Sequence, residues 1–280
     1  MTMRDAAHQA LEELLSQPVG SWSLAEGALA IARLEHGDLD APACLAELDR
    51  LGAAARDAVG DARHPRFVAS GIAQVLFADE GFRLAEEDGD ALPASCLLDQ
   101  VLATRVAAPT LLALVFVEVA RRAGLRFETV SLPGHFLLRH GASEAVFLFD
   151  PGRQARPVSL DEARRMVADG SGGRIEFREG YLRPLTPPQV LARILANLKA
   201  IYWRGPEYER ALDVVDLMLA IRPDDPREIR DRGRLLFLMG RMRDAIAAFE
   251  SYLAHNPRGE DADVVRMLLV EARAGLRAQR

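Results

Sequence analysis

The chain of 280 residues has room for one large domain or two smaller ones, and 49% hydrophobic with 27% charged residues is ordinary globular usage that excludes extended disorder. A formal net charge of -6 repels a phosphate backbone, so nucleic-acid binding lacks its main driving term. Two cysteines, Cys44 and Cys96, without CxxC spacing exclude a disulfide framework and a cysteine-based zinc site, and fit a reducing, cytoplasmic setting.

The opening MTMRDAAHQALEELLSQ alternates charged and apolar residues at helical spacing, so no secretory signal is expected. Up to about Phe77 the apolar positions recur at three and four, as in Leu24, Ala28, Leu29, Ile31 and Ala32, which predicts several amphipathic helices. Ser23 with Glu26 three residues on predicts a capping box, and Asp40 before Ala41-Pro42 predicts an N-cap with proline in the first turn. Glu80 to Pro93 is acidic, carries Gly81 and Gly89, and reads as a surface loop. Helical pattern resumes at Ser95. Pro109 opens an apolar helix from Thr110 to Ala123, with Gly124 as its left-handed stop. The longest apolar stretch, Leu111 to Ala120, is broken by Glu118 and falls short of the roughly 20 residues of a bilayer span, so no membrane segment is expected.

After Gly124 the period shortens. Arg126 to Leu132, His135 to Arg139 and Ala145 to Asp150 are rich in Phe and Val, are punctuated by Pro133-Gly134, Gly141 and Pro151-Gly152, and predict consecutive strands. A helix over Ser159 to Ala168 and a strand over Arg174 to Phe177 follow. Helices first and strands after predict an α+β fold with a small antiparallel sheet.

In the last third, residues 34 apart match: Ala211 with Ala245, Leu212 with Ile246, Val215 with Phe249, Leu219 with Leu253, Pro223 with Pro257. That is the tetratricopeptide period: small residues let paired helices approach, large ones fill the groove, and proline ends each hairpin. Val264 to Leu276 reads as a terminal helix covering the stack, and Arg227-Glu228-Ile229-Arg230-Asp231-Arg232 as a solvated face with internal ion pairs. The expected domains are residues 1–186, α+β, and 187–280, all helical.

A cysteine hydrolase or acyl transferase needs a thiolate at a helix N-terminus, an imidazole to take its proton, and a carboxylate to orient the imidazole. His135 in Pro-Gly-His-Phe and Asp150 in Phe-Asp-Pro-Gly supply two of the three, on strands that adjacency would set side by side. The pair also reads as a hydrogen-bonded pin between strands, or as the floor of a ligand cleft.

The run LDQVLATRVAAPTLLALVFVEVARRAGL, followed by PGHFLLR and FLFDPG and continuing into NLKAIYW and IRDRG, resembles the bacterial SirB-type transglutaminase-like family over nearly the whole chain. The resemblance implies a transglutaminase-like, papain-like fold in which the nucleophilic cysteine would begin the helix at Pro109. That helix opens Pro109-Thr110-Leu111-Leu112 instead, and an unactivated threonine hydroxyl at Thr110 is a poor substitute. SirB-type relatives generally lack the cysteine, which implies a non-catalytic protein with a link to bacterial gene regulation; no helix-turn-helix or basic stripe points to direct DNA contact.

Cys96, near a helix start after Pro93-Ala94-Ser95, is the alternative nucleophile for a peptidase or amide transferase with His135 and Asp150; followed by Leu97-Leu98, it also reads as a small buried hydrophobe. Cys44 reads as core. Arg105 and Arg139 are expected to face the same region, as solvated groups or as planar forks for an anion or a C-terminal carboxylate, beside the Pro133-Gly134 turn. The histidines His36, His64, His135, His140 and His255 have no i, i+4 pair, and no metal site is expected. The reading is a binding or scaffold protein for a protein or peptide partner, with no cofactor.

Overall fold

The computed structural model describes residues 3–18, 21–86, 93–141 and 145–278; Gly89, one marker of the expected acidic loop, lies outside them. Two compact units divide the chain: Gln17–Ile194, and Met1–Ser16 together with Leu195–Arg280. The first helix, α1 (Met3–Leu15), belongs to the second unit.

The unit Gln17–Ile194 begins with α2 (Leu24–Ala32), α3 (Ala41–Val59) and α4 (Pro65–Ala73). Their starts follow the local chemistry. Ser23 Oγ accepts from the Glu26 N–H at 3.2 Å while the Glu26 carboxylate accepts from the Ser23 N–H at 2.8 Å, and Asp40 accepts from the Ala43 N–H at 3.0 Å. Within the span read as an acidic loop, Arg83–Leu84 forms β1, paired in parallel with β2 (Val106–Ala107). Between these strands lie a 3-10 turn at Pro93–Cys96 and α5 (Leu98–Thr104).

Next comes α6 (Pro109–Arg122), buried along most of its length. It crosses α3 so closely that a Cβ on Gly52 would stand 2.3 Å from Arg122 Cβ. Glu118, the charge that interrupts the apolar run, is 2% exposed and is held by Arg122 and, at 3.1 Å, by Arg121. Gly124 takes the left-handed conformation, φ 78°, that ends the helix.

The sheet is an antiparallel meander: β3 (Phe127–Leu132), β4 (His135–His140), β5 (Leu148–Asp150) and β6 (Arg156–Val158), neighbours in that order. Leu132 pairs with His135, so β3 and β4 form a hairpin closed by Pro133 and Gly134. One face turns Phe127 toward Phe116 of α6, with centroids 5.2 Å apart, and toward Phe149 at 5.9 Å. The other buries Val130, Leu132, Leu137, Leu148 and Val158 with Ala163 and Val167 of α7 (Leu160–Ser171).

Arg174 to Phe177 is not a strand; β6 takes the sheet edge instead. Phe177 packs beside the core over α7 and against Tyr181, so the alternation there marks a side chain seeking the core without a ladder partner.

The other unit contains Leu195 onward of α8 (Pro187–Arg204), then α9 (Tyr208–Ile221), α10 (Pro226–Leu238), α11 (Met242–His255) and α12 (Ala262–Ala278). The starts of α9 and α11 and their ends are each 34 residues apart. Ala211 and Val215 of α9 and their counterparts Ala245 and Phe249 of α11 are all fully buried. A Cβ on Gly233 of α10 would stand 2.5 Å from Phe249 Cε1, so this glycine is what lets the aromatic ring in. Packed on α9 is α1, which buries Ala7 and Leu11 and sets Arg4 on Asp216 and, at 3.2 Å, on Asp213. The sequence grouped this helix with residues 1–186; an amphipathic period gives the apolar face but not its partner.

Part of the charge run on α10 is not solvated. Glu228 and Asp231 are each 7% exposed and bind Lys199 Nζ, at 2.7 Å and 3.0 Å, while Arg230 joins Asp231 to Asp261 and Arg232 bonds Asp216 at 2.7 Å. Among the described residues no helix is long and apolar enough to cross a membrane.

Candidate functional site

Helix α7 lies along the sheet face that carries His135, Leu137 and Arg139, residues two apart on β4 and therefore on one side of it. Ala163 and Val167 press onto that face. On one flank of the helix a cleft of about 570 Å³ opens, lined by His135 and Asp150 from the sheet, Pro109 from the N-terminus of α6, Leu84 from β1, and Glu162, Arg165, Met166 and Asp169 from α7.

Two glycines of its lining, Gly134 and Gly152, are packed closely against their neighbours. Gly134, at φ 78°, sits against α7, where a Cβ on Gly170 would stand 2.9 Å from the Pro133 carbonyl oxygen. A Cβ on Gly152 would stand 2.8 Å from Leu84 Cδ1. Asp150 Oδ1 accepts from the Gly152 N–H at 2.9 Å, its Oδ2 lies 3.6 Å from Arg153 Nε, and the carboxylate is thereby fixed at the cleft wall. Glu162 is bound by Arg156, which holds its carboxyl below the usual carboxylate range. Among the described residues the His135 imidazole has no hydrogen-bond partner, Asp150 included, so the two share a cleft without forming a bonded dyad.

The thiols lie elsewhere. Cys96 is 2% exposed, does not line the cleft, and has its thiol pushed up to about 11 by burial. Burial, and then the charges of Asp99 and Asp40, also raise Cys44. Thr110 is buried one position behind Pro109, which is the residue of α6 that faces the cleft.

Arg105 and Arg139 do not face the cleft. Arg105 closes α5 in the left-handed conformation, φ 62°, and its guanidinium stacks 4.7 Å from the Phe82 centroid while binding Glu47 and, at 3.0 Å, Glu80. Glu47 also binds Arg50 at 2.8 Å; chiefly through that bond, its carboxyl is held down at about 2. Arg139 lies on the other flank of α7, where Nη1 donates to the Leu182 carbonyl at 3.1 Å. The α7 wall of the cleft was not singled out from the sequence, although Glu162, Met166 and Asp169 follow a helical period; nothing in that period says which face fronts His135. Among the described residues no three His, Cys, Asp or Glu side chains are grouped to hold a metal ion.

Comparison with known proteins follows the same division of the chain. Residues 42–196 match the Transglutaminase-like superfamily and residues 198–270 the Tetratricopeptide repeat. A UPF0162 protein of Xylella fastidiosa (strain 9a5c) is 31% identical over 247 residues, which is 87% of this chain and 88% of that protein. Another from Pseudomonas aeruginosa is 34% identical over 205 residues, 72% of this chain and 73% of the relative. The structure of menin aligns over 90% of this chain and 69% of its own with 12% identity and a TM-score of 0.42, too loose a likeness to define a common fold. These matches and identities show that the chain belongs to the transglutaminase-like superfamily, among the bacterial SirB-type proteins that carry tetratricopeptide repeats.

Proposed function

We propose that this is a non-catalytic, cytoplasmic protein that binds a protein or peptide partner as a regulator or scaffold, with the cleft at His135 and Asp150 kept for recognition. The observation that carries the reading is the wall of that cleft: where α6 begins, it presents Pro109, and the nearest thiol in the sequence, Cys96, is buried and outside the lining. Acyl transfer needs an activated nucleophile at this place; a proline ring offers none, and the buried Thr110 hydroxyl is an unactivated one at neutral pH. The repeat helices favour a macromolecular partner, since hairpin arrays present extended grooves for protein segments. A cleft lined by both carboxylates and guanidinium groups suits a peptide backbone with charged side chains better than a small apolar ligand.

Two measurements test this. Iodoacetamide labelling below neutral pH, followed by mass spectrometry, should modify both cysteines slowly; fast labelling of Cys96 that disappears in His135→Ala is the signature of an enzyme and ends the proposal. A random peptide library panned on the full chain should then return ligands that Arg153→Ala or Asp169→Ala weakens by about tenfold, a change of about 1.4 kcal/mol.

A further inference from the structure

The far flank of α7 holds a second pocket, of about 290 Å³, at the small end of the roughly 300–1,000 Å³ typical of ligand sites. Leu160 and Arg164, one helical turn apart on α7, line it, whereas Glu162, Met166 and Asp169 line the cleft. Ala163 and Val167 lie between the two sets and seal the helix to the sheet, so the pockets are separate.

Three guanidinium groups, Arg139, Arg164 and Arg183, meet one carboxylate, Glu179, around this pocket. That is a local excess of positive charge on a chain whose net charge is -6. Arg164 is partly committed, to Asp161 at 2.7 Å and across the Phe177 ring at 5.7 Å. Arg183 forms no ion pair among the described residues. Arg139 is the least satisfied. Its Nη1 is anchored on the Leu182 carbonyl, but Nε is buried with no acceptor. A buried donor without a partner is destabilising, and a guanidinium is satisfied best by a carboxylate that takes two parallel N–H bonds. Beside the charges stand Phe177 and Leu160, the latter 40% exposed, an apolar wall left partly open to solvent.

We propose that this pocket binds a carboxylate borne on an apolar group of about one residue, with Arg139 and Arg183 on the carboxylate and Leu160 and Phe177 on the apolar group. Two sources share that chemistry, the C-terminal residue of a polypeptide and a free small acid. The site is distinct from the cleft, and its occupation neither needs nor precludes a ligand at His135.

The test is calorimetric titration of the full chain with acetyl-Ala-Ala-Leu, with N-acetyl-leucine, and with the C-terminal amides of both. The free acids should bind and the amides bind about tenfold more weakly or not at all, because the amide loses the charge-assisted bonds. Arg139→Lys, which keeps the charge and removes the planar fork, and Arg183→Gln, at an exposed position that does not threaten folding, should each weaken the acids severalfold. Tighter binding of the tripeptide than of N-acetyl-leucine assigns the polypeptide end, and equal binding assigns the free acid. Acid and amide binding alike, neither acid binding, or Arg183→Gln without effect on the acids would each overturn the proposal.

Discussion

Gly170 and the Pro133 carbonyl oxygen are in backbone contact: a Cβ on the glycine would come within 2.9 Å of that oxygen. The contact ties the β3–β4 turn to the end of α7 and so fixes the distance between His135 and the helix that forms the opposite wall of the cleft.

Gly170→Ala should therefore destabilise the fold. Alanine gains about 1 kcal/mol over glycine in a helix, but overpacking against an atom that cannot turn aside costs about 1–3 kcal/mol, and the clash wins. Gly180→Ala, where an added Cβ meets nothing within 4 Å, is the control. Denaturant midpoints of the two variants compare them directly, and equal midpoints would remove the argued role of the contact.

Placing sulfur at the cleft wall should create reactivity that the native chain lacks. In Pro109→Cys the thiol would stand in the first turn of α6, where the helix dipole lowers its pKa, in the cleft that also contains His135. Alkylation at pH 7 should then run about tenfold faster at the new residue than at Cys44 or Cys96, both of which are raised by burial. Loss of part of that rate in the double variant with His135→Ala would show that the imidazole reaches the site.

Acid should unfold the Gln17–Ile194 unit in part through Glu47. Its folded pKa lies at about 2 against an ordinary 4.5, so the unfolded chain binds the proton first, and the stabilisation is complete above 4.5 and lost as pH falls toward 2. Arg50 is the larger cause and Arg105 a further one, so Arg105→Gln should raise the Glu47 pKa and flatten this limb of the stability–pH curve without abolishing it. Melting temperatures measured between pH 5 and pH 2 for both proteins check the sign and the difference.

Lys199→Met should cost about 3 kcal/mol or more, since it leaves the buried carboxylates of Glu228 and Asp231 without their shared cation. Burial already raises Glu228, which means protonation is easier there than in the unfolded chain and stability from this group falls as pH rises through the folded pKa. The deficit of the variant should consequently shrink as pH is lowered toward the ordinary carboxylate range. Urea melts at two pH values decide it, and a deficit that grows on acidification would sink the assignment.

What the sequence determined by itself was local. Capping residues at Ser23 and Asp40, the stop at Gly124, the β3–β4 hairpin at Pro133-Gly134, and the period of 34 shared by α9 and α11 all depend on neighbours within a turn, a hairpin or a repeat, and each formed where the residues said. That α6 opens Pro109-Thr110 and carries no cysteine was equally legible, because it is a matter of residue identity. Tertiary structure alone decided which apolar faces met. It set α1 on α9, drew Glu228 and Asp231 out of solvent onto Lys199, gave the sheet edge to Arg156–Val158, and sent Arg105 to Glu47 while turning Arg139 to the far side of α7. A helical or alternating period reveals that a side chain seeks burial or a partner, but the partner is chosen by packing between segments far apart in the chain, and no local pattern encodes that choice.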